Sequence, residues 1–220
     1  LNEKLDNSSI RKQKALIESL KKQPLIIVLR LEKDFFIIPE KKKLLFANIK
    51  NLSEYGVKHI EIGWNSNSEW VHLISEIQSS FKEINIGAAS INCEKALHSI
   101  LKLDLPYSMT PFFNKDLQQK AEESNQLLIP GISNTKDLKE AIQMGYKVIK
   151  IFPASKLGIN FLNNIKDVYK ENIFLIGAGG LKSKDLEKFL TSGYNAVALG
   201  RSLIDQGIDH HIDMWLRKYR

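Results

Sequence analysis

Cysteine is nearly absent from this chain of 220 residues: Cys93 stands alone, so no internal disulfide can form, and a reducing cytosol fits. Long apolar runs are missing as well, and none approaches the roughly 20 residues that a bilayer crossing needs. The segment from Leu1 to Gln23 is charged throughout and lacks the apolar centre of a signal peptide. These absences predict a soluble, cytoplasmic protein with no membrane partner. No zinc-type spacing, helix-turn-helix pattern, aromatic RNA-binding signature, Walker loop or Gly-x-Ser-x-Gly elbow occurs. The adjacent pair His210-His211 reads as surface rather than as metal ligands.

What is present is a normal apolar share, 43%, and a surplus of positive charge, 32 basic against 25 acidic residues, or +7. A basic chain favours anionic partners. Its lysines, such as Lys21-Lys22 and Lys41-Lys42-Lys43, are scattered through predicted helices, which reads as a solvated surface rather than a nucleic-acid footprint.

Apolar, β-branched runs alternate with amphipathic stretches along the whole chain. A helix opening near Ser8-Ser9 precedes a first strand, Leu25 to Arg30. Further strands are predicted at Val57–Ile62, Ile84–Ala88, Tyr107–Thr110, Gln126–Ile132, around Lys150, at Ile173–Gly180 and at Ala196–Leu199. Helices are predicted between them, at about Pro39–Tyr55, Ser66–Lys82, Cys93–Leu101, Lys115–Glu123, Ser133–Met144 and Asn160–Tyr169. Two more follow the last strand, near Ser202–Gly207 and ending at Trp215 to Arg217. Eight strands alternating with helices predict one α/β domain spanning the chain, a (β/α)8 TIM barrel with an extra N-terminal helix.

Within the sixth strand, Tyr146-Lys147-Val148-Ile149-Lys150-Ile151, Lys150 is a charge where a parallel sheet wants an apolar residue. Burial disfavours the ammonium form, and a neutral amine is a nucleophile able to form a Schiff base with a ketone. A strand-end lysine reaching water, or one paired structurally with a carboxylate, is the plainer alternative. Glu61 is the second such charge; alternation puts it on one face with His59, either as a structural partner or as a proton-transferring acid/base beside Lys150. Arg30 closes the first strand, where it could meet a ligand or simply the solvent. Ser90 follows a small-residue turn and offers a hydroxyl. Gly179-Gly180 and Gly200-Arg201-Ser202 follow strands seven and eight, the places where this fold commonly holds phosphate.

These residues resemble the 2-keto-3-deoxy-6-phosphogluconate and 4-hydroxy-2-oxoglutarate aldolases and their 6-phosphogalactonate relatives. Val57 to Asn65 looks like the glutamate-bearing strand, Ile86 to Ser90 like a Gly-Ala-Gly-Thr turn, and Thr110-Pro111 like a Ser/Thr-Pro turn. Leu128 to Ser133 is similar to Ile-Pro-Gly-Ile-Ser, and Lys150-Ile151-Phe152-Pro153-Ala154 to Lys-x-Phe-Pro-Ala. The resemblance implies a metal-independent class I aldolase, without cofactor, in which Lys150 forms the Schiff base and Glu61 shuttles protons. It implies substrate binding by Arg30, Asn65, Ser90, Pro111, Phe152, Gly179, Gly180, Gly200, Arg201 and Ser202. The substrate it implies is a phosphorylated 2-keto-3-deoxy sugar acid, cleaved to pyruvate and glyceraldehyde 3-phosphate. Unphosphorylated 4-hydroxy-2-oxoglutarate and a catalytically weak phosphosugar-binding barrel are the alternatives, and a homotrimer is the implied assembly. Asn65 and Arg30 are like the galactonate-type members, whereas Ala89, Phe112 and Arg201 depart from the family pattern.

Overall fold

Nine short strands, all parallel, carry the fold: β1 (Leu25–Leu29), β2 (His59–Gly63), β3 (Asn85–Ala89), β4 (Ser108–Met109), β5 (Leu128–Ile129), β6 (Gly131–Ile132), β7 (Val148–Ile151), β8 (Phe174–Ala178) and β9 (Ala196–Leu199). The computed structural model describes residues 7–165, 173–200 and 208–219. Nearly every strand residue is buried, as a sheet covered on both faces requires.

The sheet runs in the order β5-β4-β3-β2-β1-β9-β8-β7-β6. Its two ends, β5 and β6, are separated in the chain by Pro130 alone. They are two halves of the predicted fifth strand, one paired with β4 and the other with β7. Proline has no N–H for a ladder and interrupts the strand, but its carbonyl still accepts from the Lys150 N–H at 3.0 Å. The eight predicted strands are therefore all present, the fifth is split, and the sheet closes on itself as a TIM-type barrel.

Helices cover the outside at Pro39–Glu54, Trp70–Ser80, Glu94–Ile100, Lys115–Glu123, Thr135–Gln143, Phe161–Ile165 and Leu186–Thr191. Asn114, Asn134 and Asp209 cap their helices by accepting from backbone N–H groups three residues on. The predicted helix from Ser66 begins later, at Trp70, because Asn65 and Asn67 accept from the Asn67 and Glu69 N–H groups and hold the preceding residues in turns. The short helix Leu186–Thr191, between β8 and β9, was not anticipated. The second half of the helix predicted at Asn160–Tyr169 and the one near Ser202–Gly207 lie outside the described residues.

The helix Asn7–Lys22 closes the end of the barrel where the strands begin. Leu16 and Leu20 are buried, and Gln13 Oε1 accepts from the Lys147 and Val148 N–H groups at 2.6 and 3.2 Å. Gln23, just past the helix, donates from Nε2 to Gly56 O and accepts at Oε1 from the Lys58 N–H. Among the described residues the opposite end, where the strands finish, is left open.

Candidate active site

At that open end a cavity of about 440 Å³ is walled by strand ends and the loops that follow them. Side chains alternate along a strand, so every second residue faces the barrel interior. The register pairs Glu61 with Val28 and Gly87, and Lys150 with Gly131 and Ile176. Both charges point inward from strands on opposite parts of the sheet, and both line the cavity. They are the only lysine and the only carboxylate buried among the described residues.

Their protonation follows from that burial. Desolvation pushes the Lys150 amine down to about 8; Glu61 opposes the fall, and the Arg30 guanidinium adds to it. Desolvation pushes Glu61 up to about 7, against the pull of Lys150 and then Arg30. No direct ion pair joins the two side chains within 4.0 Å, so neither locks the other into its charged form. An amine that is in part neutral near pH 8, beside a carboxyl group able to give or take a proton near pH 7, is suited to attack on a carbonyl followed by loss of water.

The loops fix this arrangement. Lys150 Nζ lies 5.3 Å from the centroid of the Phe152 ring. That ring packs on Gly179, where a Cβ would lie 2.6 Å from Phe152 Cε2. Gly179 and Gly180 both have positive φ, +94° and +74°, and a Cβ on Gly180 would collide with Ser155 Oγ. The Ser155 N–H donates to Gly179 O at 3.1 Å and ties the two loops together. Across the mouth, Ser90 adopts φ 65°, a left-handed conformation that serine rarely takes. It is held there by bonds on either side, Trp64 N–H to Ala89 O at 2.9 Å and Ile91 N–H to Met109 O at 3.1 Å.

Of the residues named from sequence, Arg30, Glu61, Ser90, Pro111, Lys150, Phe152, Gly179, Gly180 and Gly200 line this one cavity. Asn65 does not: its Oδ1 accepts from the Asn67 N–H at 2.9 Å and caps its own loop. Arg201 and Ser202 lie outside the described residues. Ala89 lines the wall, while Phe112 is half exposed and is not part of it. Sequence reasoning missed Lys182, an exposed cation at the rim two residues beyond Gly180. A basic residue one position past the residue that follows the Gly-Gly turn was its only signal.

A larger cleft, about 910 Å³, lies at the other end beside the helix Asn7–Lys22. Its charged lining residues Lys14, Glu18, Lys21 and Lys147 are all exposed, whereas reactive side chains need the desolvation that Lys150 and Glu61 have in the smaller cavity. The smaller cavity is the candidate active site.

Comparisons with known proteins bear on the family and the fold. The family model described as "KDPG and KHG aldolase" matches residues 16–214. The 2-dehydro-3-deoxy-6-phosphogalactonate aldolase of Escherichia coli (strain K12) is 24% identical over 84% of this chain and 87% of its own length. The KHG/KDPG aldolase of the same organism is 27% identical over 61% and 58%. Among solved structures, the KDPG aldolase from Legionella pneumophila, with pyruvate captured as a covalent carbinolamine, superposes with a TM-score of 0.75 at 20% identity, over 92% of this chain and 97% of that one.

Proposed function

This chain belongs to the KDPG and KHG aldolase family, and from that premise we propose that it is a class I aldolase using Lys150 as its Schiff-base nucleophile. The observation that carries the reading is the meeting, in one cavity, of the sole buried lysine and the sole buried carboxylate among the described residues.

The neutral Lys150 amine attacks C2 of a 2-keto acid. Glu61 protonates the carbinolamine hydroxyl, which leaves as water, and a protonated imine remains. Taking the proton from the C4 hydroxyl, directly or through water, lets the C3–C4 bond break; its electron pair moves into the imine, giving a lysine-bound enamine and an aldehyde. Protonation of the enamine at C3 and hydrolysis release pyruvate and restore the amine. The imine holds the electron pair, so the step needs no metal ion.

The substrate proposed is a 2-keto-3-deoxy-6-phospho sugar acid, cleaved to pyruvate and glyceraldehyde 3-phosphate. Two separate positive features support an anion at each end: Arg30 beside the reacting pair for the carboxylate, and the Gly179-Gly180 turn with Lys182 for the phosphate. The name of the galactonate-type relative favours that sugar configuration. We also propose a homotrimer, which sedimentation equilibrium checks.

The test is borohydride trapping with pyruvate followed by peptide mapping, with Lys150→Ala as control. A reduced adduct on Lys150 is expected; a folded protein that gives none overturns the reading. A panel of phosphorylated and dephosphorylated substrates then fixes specificity. Faster turnover of 4-hydroxy-2-oxoglutarate than of any phosphorylated sugar acid would overturn the substrate assignment alone.

A further inference from the structure

Beneath Glu61 the barrel interior is polar where a packed barrel is ordinarily filled by branched apolar side chains. Three side-chain atoms there are fully buried and have no hydrogen-bond partner: Glu61 Oε1, Tyr107 OH and His59 Nδ1. Buried polar atoms are seldom left unpaired, and three in one region indicate a shared network.

The geometry brings them together. Tyr107, just before β4, lays its ring over Gly87, where a Cβ would lie 2.6 Å from Cε2 and 2.7 Å from Cζ, the carbon bearing the hydroxyl. Gly87 is the register partner of Glu61 on the neighbouring strand, a spacing of about 4.8 Å. His59 faces the same side of β2 two residues before Glu61, and its ring centroid lies 6.4 Å from that of Tyr107. Its far nitrogen, Nε2, is 2.9 Å from Ser19 Oγ on the helix that closes the barrel. Buried polar atoms left unpaired at this proximity are the kind that a bridging water satisfies.

We propose that the Tyr107 hydroxyl, supported by His59, is tied to the Glu61 carboxyl group in one hydrogen-bonded network, making Tyr107 a positioning residue for proton transfer. That role in catalysis rests on the aldolase reading above. A phenol serves either form of its partner, accepting from the acid and donating to the carboxylate. The charge-assisted bond is the stronger, so the network favours the carboxylate. The titratable and charged groups facing Glu61 among the described residues are Lys150 from β7, Arg30 from the end of β1, Tyr107 and His59. Only the last two lie on the floor side.

The test follows the Glu61 carboxyl directly, by ¹³C NMR titration of the full chain labelled at glutamate Cδ, with Glu61→Gln identifying the resonance. In Tyr107→Phe the Glu61 midpoint is expected to rise by about half a pH unit or more. Replacing the tyrosines by 3-fluorotyrosine preserves shape and strengthens the hydroxyl as a donor, so the midpoint should fall; this second measurement stands even if Tyr107→Phe does not fold. Midpoints unchanged within about 0.2 unit, or moved the other way, overturn the proposal. No substrate is needed, so a flat titration with normal pyruvate trapping removes the network alone. Absent trapping with a shifted titration removes the aldolase reading alone.

Discussion

Gly179 exists to make room for Phe152: the missing Cβ would sit 2.6 Å from Cε2 of the ring that underlies the Lys150 amine. Gly179→Ala combines that collision with a residue forced to φ +94°, and is expected to destabilise the fold by about 1–3 kcal/mol. It should also slow pyruvate adduct formation at Lys150 at least about tenfold, since small misplacements of a reacting group cost at least that much. Thermal unfolding and timed borohydride trapping read the two effects. A variant with wild-type trapping would show that Phe152 does not position the lysine.

Glu61 holds part of the Lys150 charge in place. In Glu61→Gln that support goes, while burial and Arg30 continue to press the amine toward its neutral form. The pH midpoint for pyruvate trapping should therefore fall below that of the wild-type chain, in which burial already brings the amine down to about 8, even as turnover is lost. An upward shift would contradict the assignment of Glu61 as a support of the Lys150 charge.

His59 is an acid-sensitive point in the core. Burial pushes its imidazole down to about 4 from 6.5, so the stability it contributes is complete above pH 6.5 and is lost as pH falls through about 4. The loss is on the order of 3 kcal/mol, and His59→Gln should flatten it. Urea midpoints measured between pH 7 and pH 4 are the check, and equal slopes in both proteins would remove His59 as the cause.

Lys182 reads the far end of the substrate in this scheme. Lys182→Met should raise KM for a phosphorylated sugar acid about tenfold and leave KM for its dephosphorylated counterpart unchanged, with rescue by Lys182→Arg. An equal rise for both substrates would place its role elsewhere.

The strands were legible because burial on both faces leaves a simple mark, short apolar runs such as Leu25 to Leu29 and Phe174 to Ile176. Lys150 and Glu61 were legible as violations of that mark. The break at Pro130 was not, since apolar composition carries no record of a missing N–H. Asn65 illustrates the opposite difficulty: a short amide in a loop can serve a ligand or its own backbone, and here it serves the backbone. Lys182 went unread because a lysine outside a strand looks like any solvated lysine. Alternation placed His59 on the face of Glu61, but Tyr107 had no such signal; its importance depends on Gly87 yielding space from the adjacent strand.

The helix Asn7–Lys22 stoppers one end of the barrel, so that among the described residues the cavity opens at the other end. If Lys150 forms the proposed Schiff base, the aldehyde must depart through the passage by which hydrolytic water arrives, while the three-carbon fragment stays tethered to that lysine. On that mechanism release would be ordered by plumbing rather than by affinity: aldehyde first, pyruvate last, with accumulated aldehyde able to re-enter and run carbon–carbon bond formation.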